Sequence, residues 1–149
     1  IAMRQNDVLT LLKDSTRAGI YHLPSSNRTA VRAAAESAGF ACFEVNLADA
    51  DRIDAVFVQL AHDLAFPAWY GHNFDALKDC LSDFSWCEAP GYVLIVSGTR
   101  ALKAADPAAL QALNAVFAVA IAEWQARKLP LWVFYDLGAD GLAPFPTIT

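Results

Sequence analysis

The stretch PAWYGHNFDALKDCL, residues 67–81, combines a loop, a helix start and a row of acidic side chains. Pro67 ends the helical pattern that precedes it, and Gly71 lies in the loop that follows. Asn73 is of a residue type that caps helix N-termini well, and it predicts a helix over 74–84. The segment therefore predicts a loop that leads directly into a short helix.

The predicted helix has two faces of opposite character. Apolar residues recur at intervals of three and four along one face: Phe74, Leu77, Leu81 and Phe84. Three acidic residues stand four apart on the opposite face: Asp75, Asp79 and Asp83. Apolar residues at this spacing indicate an amphipathic helix that buries one side. The acidic row is then left on the solvent side.

The acidic row has an energetic cost to the helix. Like charges four residues apart destabilise a helix by about 0.2–0.5 kcal/mol per pair. Asp75 near the N-terminus gains about 0.3–1 kcal/mol from the helix dipole, whereas Asp79 in mid-helix gains little. Lys78 screens the row in part. Because no local advantage explains Asp79, its presence favours a functional role.

The rest of the chain alternates between strand and helix patterns. Strands are predicted over 20–23, 40–47, 92–96 and 131–137, and helices over 6–18, 27–38, 51–64, 74–84 and 107–128. Asp49 is the expected cap of the third helix, and Asp106-Pro107 is a strong helix start. Such alternation predicts an α/β fold with a small, mostly parallel sheet of three to four strands layered with helices. The tail after Gly138 is expected to be irregular, and residues 1–149 are expected to form a single domain.

The composition excludes several classes of protein. The chain has 149 residues, a formal net charge of −5, 56% hydrophobic and 18% charged residues, so it is neither disordered nor a coiled coil. An acidic balance argues against direct nucleic-acid binding. Three cysteines do not make a disulfide framework. With no signal peptide or membrane span visible in the sequence, we expect a cytoplasmic protein that does not bind membranes.

The negative charge is concentrated in the middle of the chain. Residues 44–88 carry two basic and nine acidic groups, a net charge of −7, whereas residues 1–43 carry +2 and residues 89–149 are neutral. A concentrated field of this sign accelerates encounter with a cationic partner. The alternative is that the acids merely keep two surface helices in solution.

Residues 67–81 resemble the signature of the barstar family. Members of this family are small intracellular inhibitors of secreted bacterial ribonucleases. Eleven of the fifteen positions match the family pattern without a gap: Pro67, Trp69, Tyr70, Gly71, Asn73, Asp75, Ala76, Leu77, Asp79, Cys80 and Leu81. The resemblance continues more weakly over residues 40–137, in the order of strands and helices. It leaves residues 1–39 as an N-terminal extension to a barstar-like core.

The resemblance implies that the acidic loop-helix from Trp69 to Phe84 blocks the cationic active site of a ribonuclease. Asp79 would be the central anchor, and Asp75 would pair with a basic group beside it. Trp69 would pack over the catalytic region of the nuclease, while Gly71 and Asn73 shape the loop. The partner would be a small basic ribonuclease of the secreted or toxin type, as expected of an immunity protein in bacteria.

Further residues complete the implied binding face. Phe74 and Asp83 lie within the same loop-helix, and Glu123 falls where the family can carry another contacting acid. Lys78 departs from the pattern, because family members often have an aromatic contact at that position. A cation between two key carboxylates should weaken binding to a basic pocket, which favours a changed partner. Phe84 and Trp86 are expected to supply replacement apolar contacts.

Other interpretations of these residues remain open. His72, Asp75 and Asp79 could hold a metal ion, and the two aspartates could form a catalytic acid–base pair. Neither is favoured, since no second ligand cluster accompanies them and a convex helix face is unsuited to catalysis. We therefore expect no cofactor and no enzyme activity. The main alternative function is an acidic protein-interaction module with a non-nuclease partner.

Buried positions are expected for the remaining notable side chains. Cys80 and Cys42 are predicted to be small core residues and not reactive thiols. Trp124 and Trp132 are predicted to fill the core.

Overall fold

A computed structural model describes residues 5–67, 70–136 and 143–144. Six helices are present: α1 Gln5–Leu12, α2 Ser25–Ser37, α3 Ile53–Asp63, α4 Phe74–Asp83, α5 Arg100–Ala105 and α6 Pro107–Ala126. Five strands are present: β1 Ile20–His22, β2 Ala41–Asn46, β3 Tyr92–Ser97, β4 Leu131–Tyr135 and β5 Ala143–Pro144. A 3₁₀ turn over Ser15–Arg17 joins α1 to β1.

The strands form one parallel sheet in the order β2-β3-β4-β1-β5. The predicted α/β class and parallel sheet are confirmed. The expectation of an irregular tail after Gly138 is wrong at residues 143–144, which pair with Tyr21 and His22 of β1. This short strand continues the sheet beyond β1, a long-range pairing that a Pro-rich local sequence does not signal.

The central strand β4 shows that helices cover both faces of the sheet. The Trp132 indole Nε1 donates to the Leu12 carbonyl of α1 at 2.9 Å, while the Tyr135 hydroxyl donates to the Asn114 side chain of α6. Side chains of odd and even position point to opposite faces of a strand. The helices of the N-terminal segment therefore cover one face, and α6 covers the other.

The core follows the two central strands. Every residue of β4, and residues 92–96 of β3, are buried. Trp132 is fully buried and Trp124 is 5% exposed, which confirms their predicted places in the core. The continuous apolar run of β3 is thus explained by cover on both of its faces.

Strand β2 corrects the expectation of a buried strand over 40–47. It lies at the sheet edge, and only Val45 within it is buried. Cys42 is accordingly half-buried and not a core residue. Glu44 binds Arg28 and Arg32 of α2, with Arg28 Nη2 at 2.9 Å from Glu44 Oε1. Charged side chains of this kind protect an exposed strand edge from pairing with other chains.

Of two helix caps predicted from the sequence, one is confirmed and one is wrong. The Asp106 side chain accepts from Ala109 N at 3.1 Å, so the predicted cap of the last long helix is confirmed. Asp49 does not cap α3, because that helix begins at Ile53 with Arg52 in the cap position. The short helix α5 was not predicted from the sequence.

Helix α6 has the length and apolar composition of a membrane span, the one such helix among the described residues. The sequence expectation was that no stretch approached that length. Seven residues of α6 are buried within the protein, among them Leu113, Phe117 and Trp124. These buried residues pack α6 into the protein, where Trp124 bonds to Leu81 of α4.

Candidate partner-binding site

The loop before α4 is anchored by Tyr70. Its ring is 6% exposed and lies 4.8 Å, centroid to centroid, from Phe66 and 4.9 Å from His72. The Tyr70 N–H donates to the Pro67 carbonyl at 3.0 Å. Trp69, the aromatic residue predicted to contact the partner, lies outside the described residues. Its neighbour Tyr70 is buried and thus anchors the loop to the core.

Asn73 joins the loop to the helix through both ends of its side chain. Its Oδ1 accepts from Ala76 N at 2.8 Å, and its Nδ2 donates to the Gly71 carbonyl at 3.2 Å. The first bond satisfies an N–H group of the first helical turn, and the second holds the preceding loop. The predicted N-cap is confirmed, and the exposed loop residues Gly71 and His72 precede it directly.

The apolar face of α4 packs into the core as its spacing predicted. Leu77, Cys80 and Leu81 are fully buried. Phe74 is partly buried, with its ring edge-on to Phe57 of α3 at 5.0 Å. Helix α4 is therefore packed onto the core through this face, which leaves its opposite face to solvent.

The outer face of α4 presents its acidic row to solvent. Asp75, Asp79 and Asp83 are all exposed. Within the described part of the chain, no basic side chain comes within 4.0 Å of any of these three carboxylates. Asp83 accepts from the Ser85 hydroxyl at 2.8 Å. The row is a set of carboxylates without an intramolecular counter-charge.

Lys78 lies on the same helix but pairs with α6. Its Nζ is 4.0 Å from Oε1 of Glu123, and the two side chains are 44% and 39% exposed. The structure thus places Glu123 at the border of the acidic helix, and its contact with a partner stays a prediction. The two helices are fixed against each other beside this pair, since the buried Trp124 Nε1 donates to the Leu81 carbonyl at 2.7 Å.

Arg127 is a neighbour of the acidic helix that sequence reasoning missed. Its Nη1 donates to the Ser82 carbonyl of α4 at 2.8 Å, and its guanidinium carbon lies 4.6 Å from the centre of the Trp124 ring. The sequence placed it only at the end of its own helix. Its contact with α4 spans 45 residues of chain, and no local signal reports it.

One of the two expected apolar contacts, Phe84, is corrected by the structure. Phe84 is 1% exposed and stacks between Phe43, at 5.8 Å, and Tyr92, at 4.3 Å. Trp86 is partly buried, and its Nε1 donates to the Leu64 carbonyl at 3.2 Å. The spacing that marked Phe84 as apolar is that of the core face, so Phe84 is not a surface contact, while the contact expected of the partly exposed Trp86 stays a prediction.

The chemistry of the site favours binding. Burial, followed by the charges of Asp79 and Asp83, raises the pKa of Cys80 to about 11, so the Cys80 thiol stays neutral near pH 7. Burial and the Glu44 charge raise the pKa of Cys42 to about 11. In the described ranges, no three His, Cys, Asp or Glu side chains are grouped so that they could hold a metal ion. The exposed carboxylates on a convex helix suit recognition of a cationic surface.

Comparison with known families adds one finding. The model of the family described as Barstar (barnase inhibitor) matches residues 40–136, which is about two thirds of the chain. No curated protein matches the chain. The matched span contains β2, β3, β4 and the whole of α3 to α6, and it begins where the N-terminal segment ends.

Proposed function

The chain belongs to the barstar family, and from that premise we propose that it inhibits a bacterial ribonuclease by covering the cationic active site of the enzyme. The inhibitory surface is the loop-helix from residue 69 to residue 84, with Asp79 at its centre and Asp75 beside it. The protein acts by occupation and performs no reaction. We place it in the cytoplasm, where an inhibitor would protect the cell from its own toxin.

The observation that carries this proposal is the acidic face of α4. Three exposed carboxylates lie on one helix of the family-matched span, and none has a basic partner within 4.0 Å among the described residues. The acidic row lowers the stability of the helix and has no counter-charge within the described chain. It is therefore suited to pair with cationic groups of a binding partner.

The mechanism follows from the chemistry of ribonuclease active sites. Such a site collects arginine, lysine and histidine side chains to bind phosphate. Carboxylates on a rigid helix accept charge-assisted hydrogen bonds from the same donors, often in bidentate pairs with arginine. The net charge of −7 over residues 44–88 would also raise the association rate with a basic protein.

Because of Lys78, we expect that the binding pocket of the partner is not uniformly basic. The family often carries an aromatic residue there, and this chain places an ammonium group between Asp75 and Asp79 in sequence. A partner that is not a close relative of barnase accommodates this change best.

The proposal is tested by affinity capture with paired baits. The wild-type protein and an Asp75→Ala/Asp79→Ala variant are immobilised, and bound proteins from bacterial extracts are identified and assayed for ribonuclease activity. We expect the wild type to retain a small basic ribonuclease and to inhibit it in solution. We expect the variant to do neither. Asp51→Ala/Asp54→Ala is the matched control, since it removes the same charge from exposed positions near and within α3.

Two outcomes would contradict the proposal. Capture of the same ribonuclease by all three baits would place the interface elsewhere. Capture of a partner without nuclease activity, lost with the double variant, would favour the acidic interaction module instead.

A further inference from the structure

Lys78 presents a conflict within the acidic helix. It lies three residues after Asp75, and side chains at that spacing meet on a helix surface, so the Lys78 ammonium group can reach the Asp75 carboxylate on the acidic face. An internal ion pair of this kind would neutralise the charge that a cationic partner needs. A second acidic group that engages Lys78 would relieve this conflict.

The structure supplies such a group on the neighbouring helix. Lys78 Nζ lies 4.0 Å from Glu123 Oε1, and the Asp75 and Asp79 carboxylates are both farther than 4.0 Å from it. The Lys78 side chain thus extends towards α6 and away from the acidic row.

The position of Glu123 is set by packing of the two helices. The next residue, Trp124, is 5% exposed and its indole N–H bonds to the backbone of α4 at Leu81. Arg127, one turn further on, bonds to the α4 carbonyl of Ser82. These two contacts hold α6 against α4 on the C-terminal side of the Lys78–Glu123 pair, so Glu123 is held beside Lys78.

We infer that Glu123 is a positioning residue, which holds the Lys78 ammonium over α6 and so leaves Asp75 and Asp79 available to a cationic partner. The inference rests on the proposed function for its biological meaning, while its physical content concerns this chain alone. It differs from the expectation that Glu123 itself contacts the partner, because here Glu123 acts through Lys78.

A double-mutant cycle separates action through Lys78 from direct contact. The variants are Glu123→Gln, Lys78→Met and the combination of the two, and the probe is a hexaarginine peptide at low salt. Binding is followed by the NMR shifts of the Asp75 and Asp79 amides, which report the α4 face specifically. Glu36→Gln on α2 is the matched control, since it removes one exposed negative charge far from α4.

We expect Glu123→Gln to weaken binding at α4 by about two- to five-fold, the range of exposed ion pairs. In the Lys78→Met background the same change should have almost no effect, because no ammonium is left to reposition. Glu36→Gln should leave the affinity at α4 close to that of the wild type.

Three results would overturn the inference. They are no binding of the peptide at α4 in the wild type, no effect of Glu123→Gln, and an equal effect of Glu123→Gln with and without Lys78. The last would mean that Glu123 meets the peptide directly. If a ribonuclease is captured but the effects of Glu123→Gln and Lys78→Met are independent, only the inference about Glu123 is refuted. If the two effects depend on each other but no ribonuclease is captured, only the proposed function is refuted.

Discussion

The indole nitrogen of Trp132 donates a hydrogen bond of 2.9 Å to the carbonyl oxygen of Leu12, which lies 120 residues earlier in the chain. Trp132 belongs to the central strand β4, inside the span matched by the Barstar family model, and Leu12 ends α1, outside it. Strand β1 also pairs with β4 along the sheet. The N-terminal segment is therefore part of the same sheet and core as the family-matched span.

Trp132→Phe should lower the free energy of unfolding by about 1–3 kcal/mol, since it leaves the Leu12 carbonyl buried without its donor. Urea denaturation measures the change. Trp86→Phe is the control, because it removes a longer indole bond of 3.2 Å at a partly buried site. A Trp132→Phe protein as stable as the wild type would show that the bond between the two segments contributes little.

Asp79→Ala should raise the free energy of unfolding by about 0.5–1.5 kcal/mol. It removes two like-charge contacts at four-residue spacing and replaces a poor helix former with the best one. The same change should weaken ribonuclease binding strongly under our proposal. Thermal and urea unfolding test the first expectation, and a decrease in stability would show that Asp79 has a structural role.

Asn73→Ala should lower the free energy of unfolding by about 1 kcal/mol through loss of the helix cap. Asn73→Asp is the matched control, since a carboxylate also accepts from Ala76 N but cannot donate to the Gly71 carbonyl. We expect the aspartate variant to keep most of the stability. Equal losses in the two variants would mean that the bond to Gly71, not the cap, is the important one.

Gly98→Ala should destabilise the protein more than Gly39→Ala. Both glycines have φ of +75°, so both substitutions carry the same backbone penalty. At Gly98 the added methyl carbon would also lie 2.5 Å from the Ala48 backbone nitrogen, whereas at Gly39 the nearest atom is 3.8 Å away. We expect an additional loss of about 1–3 kcal/mol at Gly98 from overpacking. Similar urea midpoints for the two variants would contradict the close approach.

Glu44→Gln should destabilise the protein in a pH-dependent way. Partial burial acts to raise the pKa of Glu44, but hydrogen bonds from Arg32 and Arg28 outweigh it and hold the pKa below its usual 4.5. A lowered carboxyl pKa stabilises the folded state above the unfolded-state value, and the effect is lost as the pH falls through the folded-state value. The wild-type advantage in urea midpoint should thus be present at pH 7 and absent at pH 2. An advantage that persists at pH 2 would mean that packing, not charge, is responsible.

Local signals predicted the parts of the site that depend on a few neighbouring residues. The Asn73 cap, the buried face with Leu77 and Leu81, and the exposed acidic row all follow from spacing within one helix. Helix periodicity and capping involve contacts three or four residues apart, and these can be read directly from the chain.

Predictions failed where a residue's environment depends on distant parts of the chain. An apolar run marked β2 as buried, yet its place at the sheet edge leaves Cys42 half-buried. Phe84 was expected to meet a partner, yet it fills the space between Phe43 and Tyr92. Neither strand order nor the filling of an inter-layer space is encoded in local spacing.

The sequence by itself determined the α/β alternation, the helix that carries Asp75 and Asp79, and the family to which the motif belongs. Tertiary structure alone decided that β1 extends the sheet beside β4 and that α1 covers one face of it. It also decided that Lys78 extends towards Glu123. The reason is physical: hydrophobic period and capping act over one or two turns, whereas counter-charges and cover for a sheet come from whichever distant segment packing brings within a few ångströms.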